Sequence, residues 1–220
     1  EFTGWKESTN NGDVTYTAQW KPLDIKDYVT LTPADAEKTY DGTALAAGIA
    51  TATDKNGKTV KVEYSTDGTN WTEDIATITA TDVADSKTIQ VRASVESAYN
   101  GYVTAEQKLT INKRDVTVAG EGWTEDQPYT GSEYAKSGTT FTNVVEGQTA
   151  TIGYELKGTE VGNYTGAFAE DFKVMNGEAD VTANYNLTTK TPGALNIVKS
   201  DIKDYVTLTP ADAEKTYDGT

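Results

Sequence analysis

The segment DIKDYVTLTPADAEKTYDGT occupies Asp24–Thr43 and recurs without a single change at Asp201–Thr220. Twenty identical residues 177 positions apart do not arise by chance, so duplication is the first constraint on the fold. A repeat array is expected, with a unit of 177 residues, in a chain that is a window on a longer repetitive protein. The second copy is expected to open a module whose remaining strands lie outside the window. Its residues are then frayed, or lean on the preceding module or on another molecule.

Composition narrows the function classes. The chain has 36% hydrophobic residues, with Val, Ile and Tyr in short alternating runs, which is not a disordered composition. A formal net charge of −15 repels nucleic acid and anionic membrane surfaces, both of which require a basic footprint. Cysteine and histidine are absent, which removes disulfides, thiol catalysis, the usual zinc sites and histidine bases together. No apolar run approaches the length of about 20 residues that a membrane-spanning helix needs.

Periodicity then divides the chain. Val14, Tyr16, Ala18 and Trp20 alternate with polar residues, the pattern of a half-buried strand, and Asn10–Asp13 before them is a turn. Residues 1–23 are read as the closing hairpin of a truncated module plus a linker. A first complete module is expected over 24–114, with strands at Tyr28–Thr32, Thr59–Ser65, Thr88–Val95 and Lys108–Asn112. Val60, Val62 and Tyr64 share one face, as do Ile89, Val91, Ala93 and Val95. Asp54–Gly57, Asp67-Gly68 and Asn100-Gly101 are breakers, and Tyr64–Trp71 reads as a hairpin with its tip at Asp67-Gly68. A second module is expected over 115–200, with strands at Val116–Val118, Ala150–Leu156, Phe172–Met175 and Ala194–Val198. Tyr129-Thr-Gly131 stands where Tyr40-Asp-Gly42 stands in the first module, and Leu195–Ser200 echoes Leu109–Arg114. The two are divergent siblings, and 201–220 opens a third.

Several motifs carry a family resemblance. The F-x-G-W pattern at Phe2–Trp5 followed by VTYTAQW resembles the tail of the Listeria–Bacteroides (internalin-type B) repeat. KTYDGT, VEYSTDGTNW, AYNGY and the closing KLTI of the first module resemble the YDG/MBG-type tandem repeats of bacterial cell-surface, adhesin-like proteins. The second module resembles the same group through VVEGQT, KGTEVGNYTGAF, the Asp180–Tyr185 stretch DVTANY and PGALNIVK. Tyr129-Thr-Gly departs from the Tyr-Asp-Gly pattern, so the aspartate is not essential to it. The resemblance implies a secreted or cell-surface location and a role in a long adhesin.

Catalytic chemistry has little to stand on. Ser–His and Cys–His nucleophiles are excluded by composition, and 34 acidic residues make neighbouring carboxylates unremarkable. No catalytic, cofactor-binding or metal-ligating set is assigned, and no cofactor is expected. Asp24, Asp27, Asp201 and Asp204 at module junctions, and Asp171, Glu178 and Asp180 in the second module, are oxygen donors of the kind calcium takes, but no segment matches a calcium loop and acidic solvated turns explain them better. Lys61, Lys108 and Lys173 are strand lysines that an intramolecular isopeptide bond could use. Trp71, Tyr99, Tyr102, Trp123, Tyr164 and Tyr185 are either sugar-stacking platforms or core packing, with packing favoured. The sequons at Asn70, Asn163 and Asn186 are expected by chance in a threonine-rich chain.

The expected fold is mainly β: tandem small antiparallel modules, sandwich-like, in an elongated array. A β-grasp variant stays open, because Pro33–Lys38 could form a helical turn. The expected function is a non-catalytic stalk or spacer of a bacterial surface protein, whose partners are neighbouring modules of the same chain. The alternatives are a module binding host glycans or mucin, and a surface fibre that self-associates through open strand edges.

Overall fold

The computed structural model describes residues 2–21, 23–96 and 99–219. The protein is mainly β, with many small sheets and, among the described residues, no helix longer than a three-residue 3-10 turn. Two compact units are present: Glu1–Asp115 with Val181–Asn186, and Val116–Asp180 with Leu187–Thr220.

The first unit begins with the hairpin Phe2–Asn10/Asp13–Trp20, closed by a two-residue turn in which Asn11 and Gly12 both have positive φ, 50° and 89°. That is the turn whose twist suits a two-residue hairpin, and Asn-Gly is its preferred sequence. The expected strand at Val14–Trp20 is present, but not its half-burial. Trp5, Tyr16 and Trp20 are exposed, and Phe2 instead meets Trp5 and Trp20 edge-on at 5.6 and 5.4 Å.

A four-stranded sheet follows in the order Ala36–Thr39, Val103–Asn112, Lys87–Ser94, Lys61–Ser65. Period-two alternation sends Ile89, Val91, Ala93, Leu109 and Ile111 inward, all essentially inaccessible to solvent. Each of the buried isoleucine, valine and leucine side chains among them contributes roughly 1.5–3 kcal/mol. The central strands pair antiparallel, as expected, but Ala36–Thr39 pairs parallel to Leu109–Asn112. The purely antiparallel expectation is therefore corrected to mixed pairing. The helical turn held open for Pro33–Lys38 is corrected as well: Ala36–Thr39 is a strand, and the Asp35 carboxylate accepts from the Lys108 N–H at 2.7 Å. An available strand edge outweighs the weak helical preference of a six-residue acidic stretch.

Buried Gln107 ties the rest of the unit to this sheet. Its Oε1 accepts from the Ala34 N–H at 3.1 Å and its Nε2 donates to the Gly48 carbonyl at 2.7 Å. Residue 48 has to be glycine, since a Cβ there would lie 2.2 Å from the Ala34 carbonyl oxygen. The expected hairpin at Tyr64–Trp71 is reduced to one bridge, Tyr64 with Thr72, around a turn in which Asp67 accepts from the Thr69 and Asn70 N–H groups. Trp71 lies outside any strand.

In the second unit Tyr154, Leu156, Leu195 and Ile197 form a core flanked by Trp123, Tyr129, Tyr134, Tyr164 and Phe168. The expected strand at Ala150–Leu156 is broken at Ile152-Gly153 into Thr149–Thr151 and Tyr154–Gly158, which pair with different partners. The break coincides with the Asp171 carboxylate accepting from the Gly153 N–H at 2.7 Å, in place of a ladder bond. The Tyr154 hydroxyl donates to the Glu121 carbonyl at 2.8 Å and accepts from the Gly193 N–H at 3.0 Å.

Both units place their Tyr-x-Gly turn in the same frame. The Tyr40 N–H donates to the Asn112 carbonyl at 2.9 Å, and the Tyr129 N–H to the Val198 carbonyl at 2.8 Å. Just before each tyrosine a short strand runs parallel to the closing strand, with Thr39 opposite Asn112 and Pro128 opposite Val198. Gly42 and Gly131 adopt φ of 77° and 75°. The residue two places after the closing pair then donates to the tyrosine carbonyl, Arg114 to Tyr40 and Ser200 to Tyr129.

The two copies of the 20-residue segment differ in structure despite identical sequence. Both begin with the same 3-10 turn, in which Asp24 or Asp201 accepts from the N–H two residues on at 3.0 Å. Both retain the left-handed glycine, at φ 77° and 80°. The first copy continues into Val29–Thr32 and Ala36–Thr39, paired with Thr51–Asp54 and Leu109–Asn112. The second forms no strand over 206–216, and Leu208 is 87% exposed. Turn chemistry is local to the segment, whereas strand formation requires a partner.

Candidate functional site

Strand Lys87–Ser94 directs Arg92 away from the core, between its cross-strand partners Glu63 and Thr104. The Arg92 guanidinium lies over the Trp71 ring at 4.1 Å and over the Tyr102 ring at 4.4 Å. Its Nε donates to Glu63 Oε2 at 2.8 Å, and Lys61 bridges Glu63 and Glu73 at 3.1 and 3.2 Å. The hydrogen bond from Arg92, reinforced by Lys61, holds the Glu63 carboxyl below its ordinary pKa against a partial desolvation cost. Glu63, more than Glu73, in turn pushes the Lys61 amine above its ordinary value. Two clefts lie on this outer face, one of about 340 Å³ bordered by Lys61, Arg92, Ser94 and Tyr102, the other of about 390 Å³ bordered by Trp71, Gln90, Thr104 and Glu106.

This geometry sorts the six aromatic residues. Tyr99 packs against the Ile25–Val29–Ala93–Val95 core, and Trp123 and Tyr164 against the core of the second unit. Tyr185 is buried. Among the described residues Trp71 and Tyr102 are in neither of these two clusters, and both rings lie against the Arg92 guanidinium. Sequence reading placed all six in one class and gave Arg92 no role. The outward register of Arg92 on a strand whose other face is Ile89-x-Val91-x-Ala93 was the available signal.

The remaining candidates act in local structure. Among the described residues, no group of three or more acidic side chains is disposed to hold a metal ion. Asp24 and Asp201 cap 3-10 turns, Asp171 accepts from Gly153, and Asp180 faces Lys173 at 3.6 Å. The strand lysines Lys108 and Lys173 are exposed, and Lys61 sits among carboxylates. Asn70 donates to Asp67 and Asn186 to Asp115.

The DVTANY stretch has a structural role within the first unit. Asn184 Oδ1 accepts from the Val83 N–H at 2.8 Å and its Nδ2 donates to Asp82 at 2.7 Å, while Tyr185 packs on Tyr40. Comparison with protein-family models and with curated proteins gives no match, so the resemblance to YDG/MBG-type and B-type repeats rests on the motifs themselves.

Proposed function

We propose that this chain is a non-catalytic repeat region of an extracellular bacterial surface protein, serving as a stalk or spacer. The observation that carries the reading is the shared Tyr-x-Gly frame, in which each unit fastens its opening turn to its own closing strand. A unit closed in this way can be multiplied without redesigning a distant partner, and array stability then grows with nearest-neighbour terms. The absence of histidine and cysteine from the sequence supports a non-catalytic role.

The test is display of a reporter on a cell surface through one, two or three copies of the 177-residue unit. The reporter's height, read by fluorescence interference, is expected to rise with each copy. A height independent of copy number overturns the reading. A glycan-binding role is the second reading, favoured by the Trp71–Arg92–Tyr102 clamp.

A further inference from the structure

We propose that the outer face of the first unit's four-stranded sheet is a carbohydrate-binding site for a neutral glycan, with Tyr102 as the stacking surface and the Arg92–Glu63 pair as the group that recognises a vicinal diol. The assignment is independent of whether the chain is a stalk.

Tyr102 follows the Asn100-Gly101 turn and is 45% exposed, yet it is held in place by its contact with Arg92. Sugar rings present a face of C–H groups, and an aromatic ring that is both fixed and wetted is the surface such a face covers well. Arg92 uses Nε on Glu63, and among the described residues its terminal amino groups have no hydrogen-bond partner. Glu63 receives Arg92 on one oxygen and Lys61 on the other, and a carboxylate has about four lone-pair sites for such donors. One hydroxyl of a vicinal pair can accept from the guanidinium while its neighbour donates to the carboxylate. Contact with both rings restrains the guanidinium in advance, so little side-chain freedom is lost on binding.

Charge selects the ligand class. Arg92 and Lys61 are already matched by Glu63 and Glu73, and the chain carries a net −15. A sulfated or carboxylated sugar would meet no surplus of positive charge, whereas a neutral hydroxyl pair needs none. The flanking clefts, about 340 and 390 Å³, lie at the small end of the roughly 300–1,000 Å³ typical of small-molecule sites.

The experiment screens the whole chain on an array of neutral and anionic glycans, then titrates it by NMR with cellotetraose, mannotetraose, di-N-acetyllactosamine and, as the anionic comparator, 3′-sialyllactose. At least one neutral glycan is expected to shift the Trp71 indole and Arg92 side-chain signals, with a Kd on the order of 1 mM or tighter. Tyr102→Ala, at an exposed position, is expected to keep the native spectrum and weaken binding at least about tenfold, and Glu63→Gln to weaken it while leaving the stacking contact in place. Trp5→Ala, in the exposed hairpin, is expected to change nothing. Failure of every neutral glycan to bind, binding of the anionic sugars alone, or affinity unchanged by Tyr102→Ala each overturns the proposal.

Discussion

The rings of Tyr40 and Tyr185 meet edge to face, with centroids 5.5 Å apart and planes inclined at 77°. Tyr40 comes from the Tyr-Asp-Gly motif and Tyr185 from DVTANY, and both are nearly inaccessible to solvent. The two most distinctive motifs of the sequence are thus one packing contact. Tyr40→Ala is expected to cost roughly 3–5 kcal/mol, the range for a buried aromatic. A double-mutant cycle with Tyr185→Leu is expected to show coupling of roughly 0.5–1.5 kcal/mol. Urea unfolding of the four proteins checks both figures, and additive losses would remove the coupling.

Gln107 is the single side chain on which the Ala34 N–H and the Gly48 carbonyl both depend. Gln107→Leu preserves bulk but strands both backbone groups, so a loss of at least about 2 kcal/mol is expected. Thermal unfolding measures it, and a neutral substitution would mean that water replaces the amide.

Asp41 is held down to a pKa of about 2, first by the Lys38 ammonium at 2.6 Å and then by the Thr43 N–H and hydroxyl. Its ordinary value is 3.8, so the folded state binds the proton less tightly than the unfolded one. The stabilisation is complete above about pH 4 and is lost as the pH falls toward 2. Asp41 is half exposed, so solvent screening keeps the effect small. NMR titration of its carboxyl is expected to place the midpoint near 2, and Lys38→Met is expected to raise it. An unchanged midpoint in Lys38→Met would reassign the shift to Thr43.

Identical sequences in different surroundings provide an internal control for hydrogen exchange. Amides of Val29–Thr32 and Ala36–Thr39 are expected to exchange far more slowly than their counterparts at 206–209 and 213–216. Equal protection would mean that the second copy has found a strand partner.

What the sequence made legible is what the chain decides within a few residues. The Asn11-Gly12 hairpin turn, the Asp67-Gly68 tip, and the buried face Ile89-Val91-Ala93 were readable because their causes lie in adjacent side chains or in a period of two. The parallel placement of Ala36–Thr39 was not, since its partner is some seventy residues away and nothing in PADAEK announces it. The Arg92 clamp escaped for a similar reason: Trp71 reaches the outer face from a loop, and Tyr102 from a turn. Asn184 was visible as a motif residue, but its hydrogen bonds to Asp82 and Val83 span about a hundred positions.

The parallel pairings have a mechanical consequence. In the first unit the entering segments Leu23–Asp24 and Ala36–Thr39 run parallel to Tyr99–Asn100 and Leu109–Asn112, and in the second Gln127–Pro128 runs parallel to Ile197–Val198. Tension applied along the chain pulls the entry and exit strands of a unit in opposite directions along their common axis. Where these paired segments carry the load, the ladder bonds between them are strained together in shear rather than one after another. The longest of these contacts, Ala36–Thr39 on Leu109–Asn112, sets four residue pairs against such a load in the first unit.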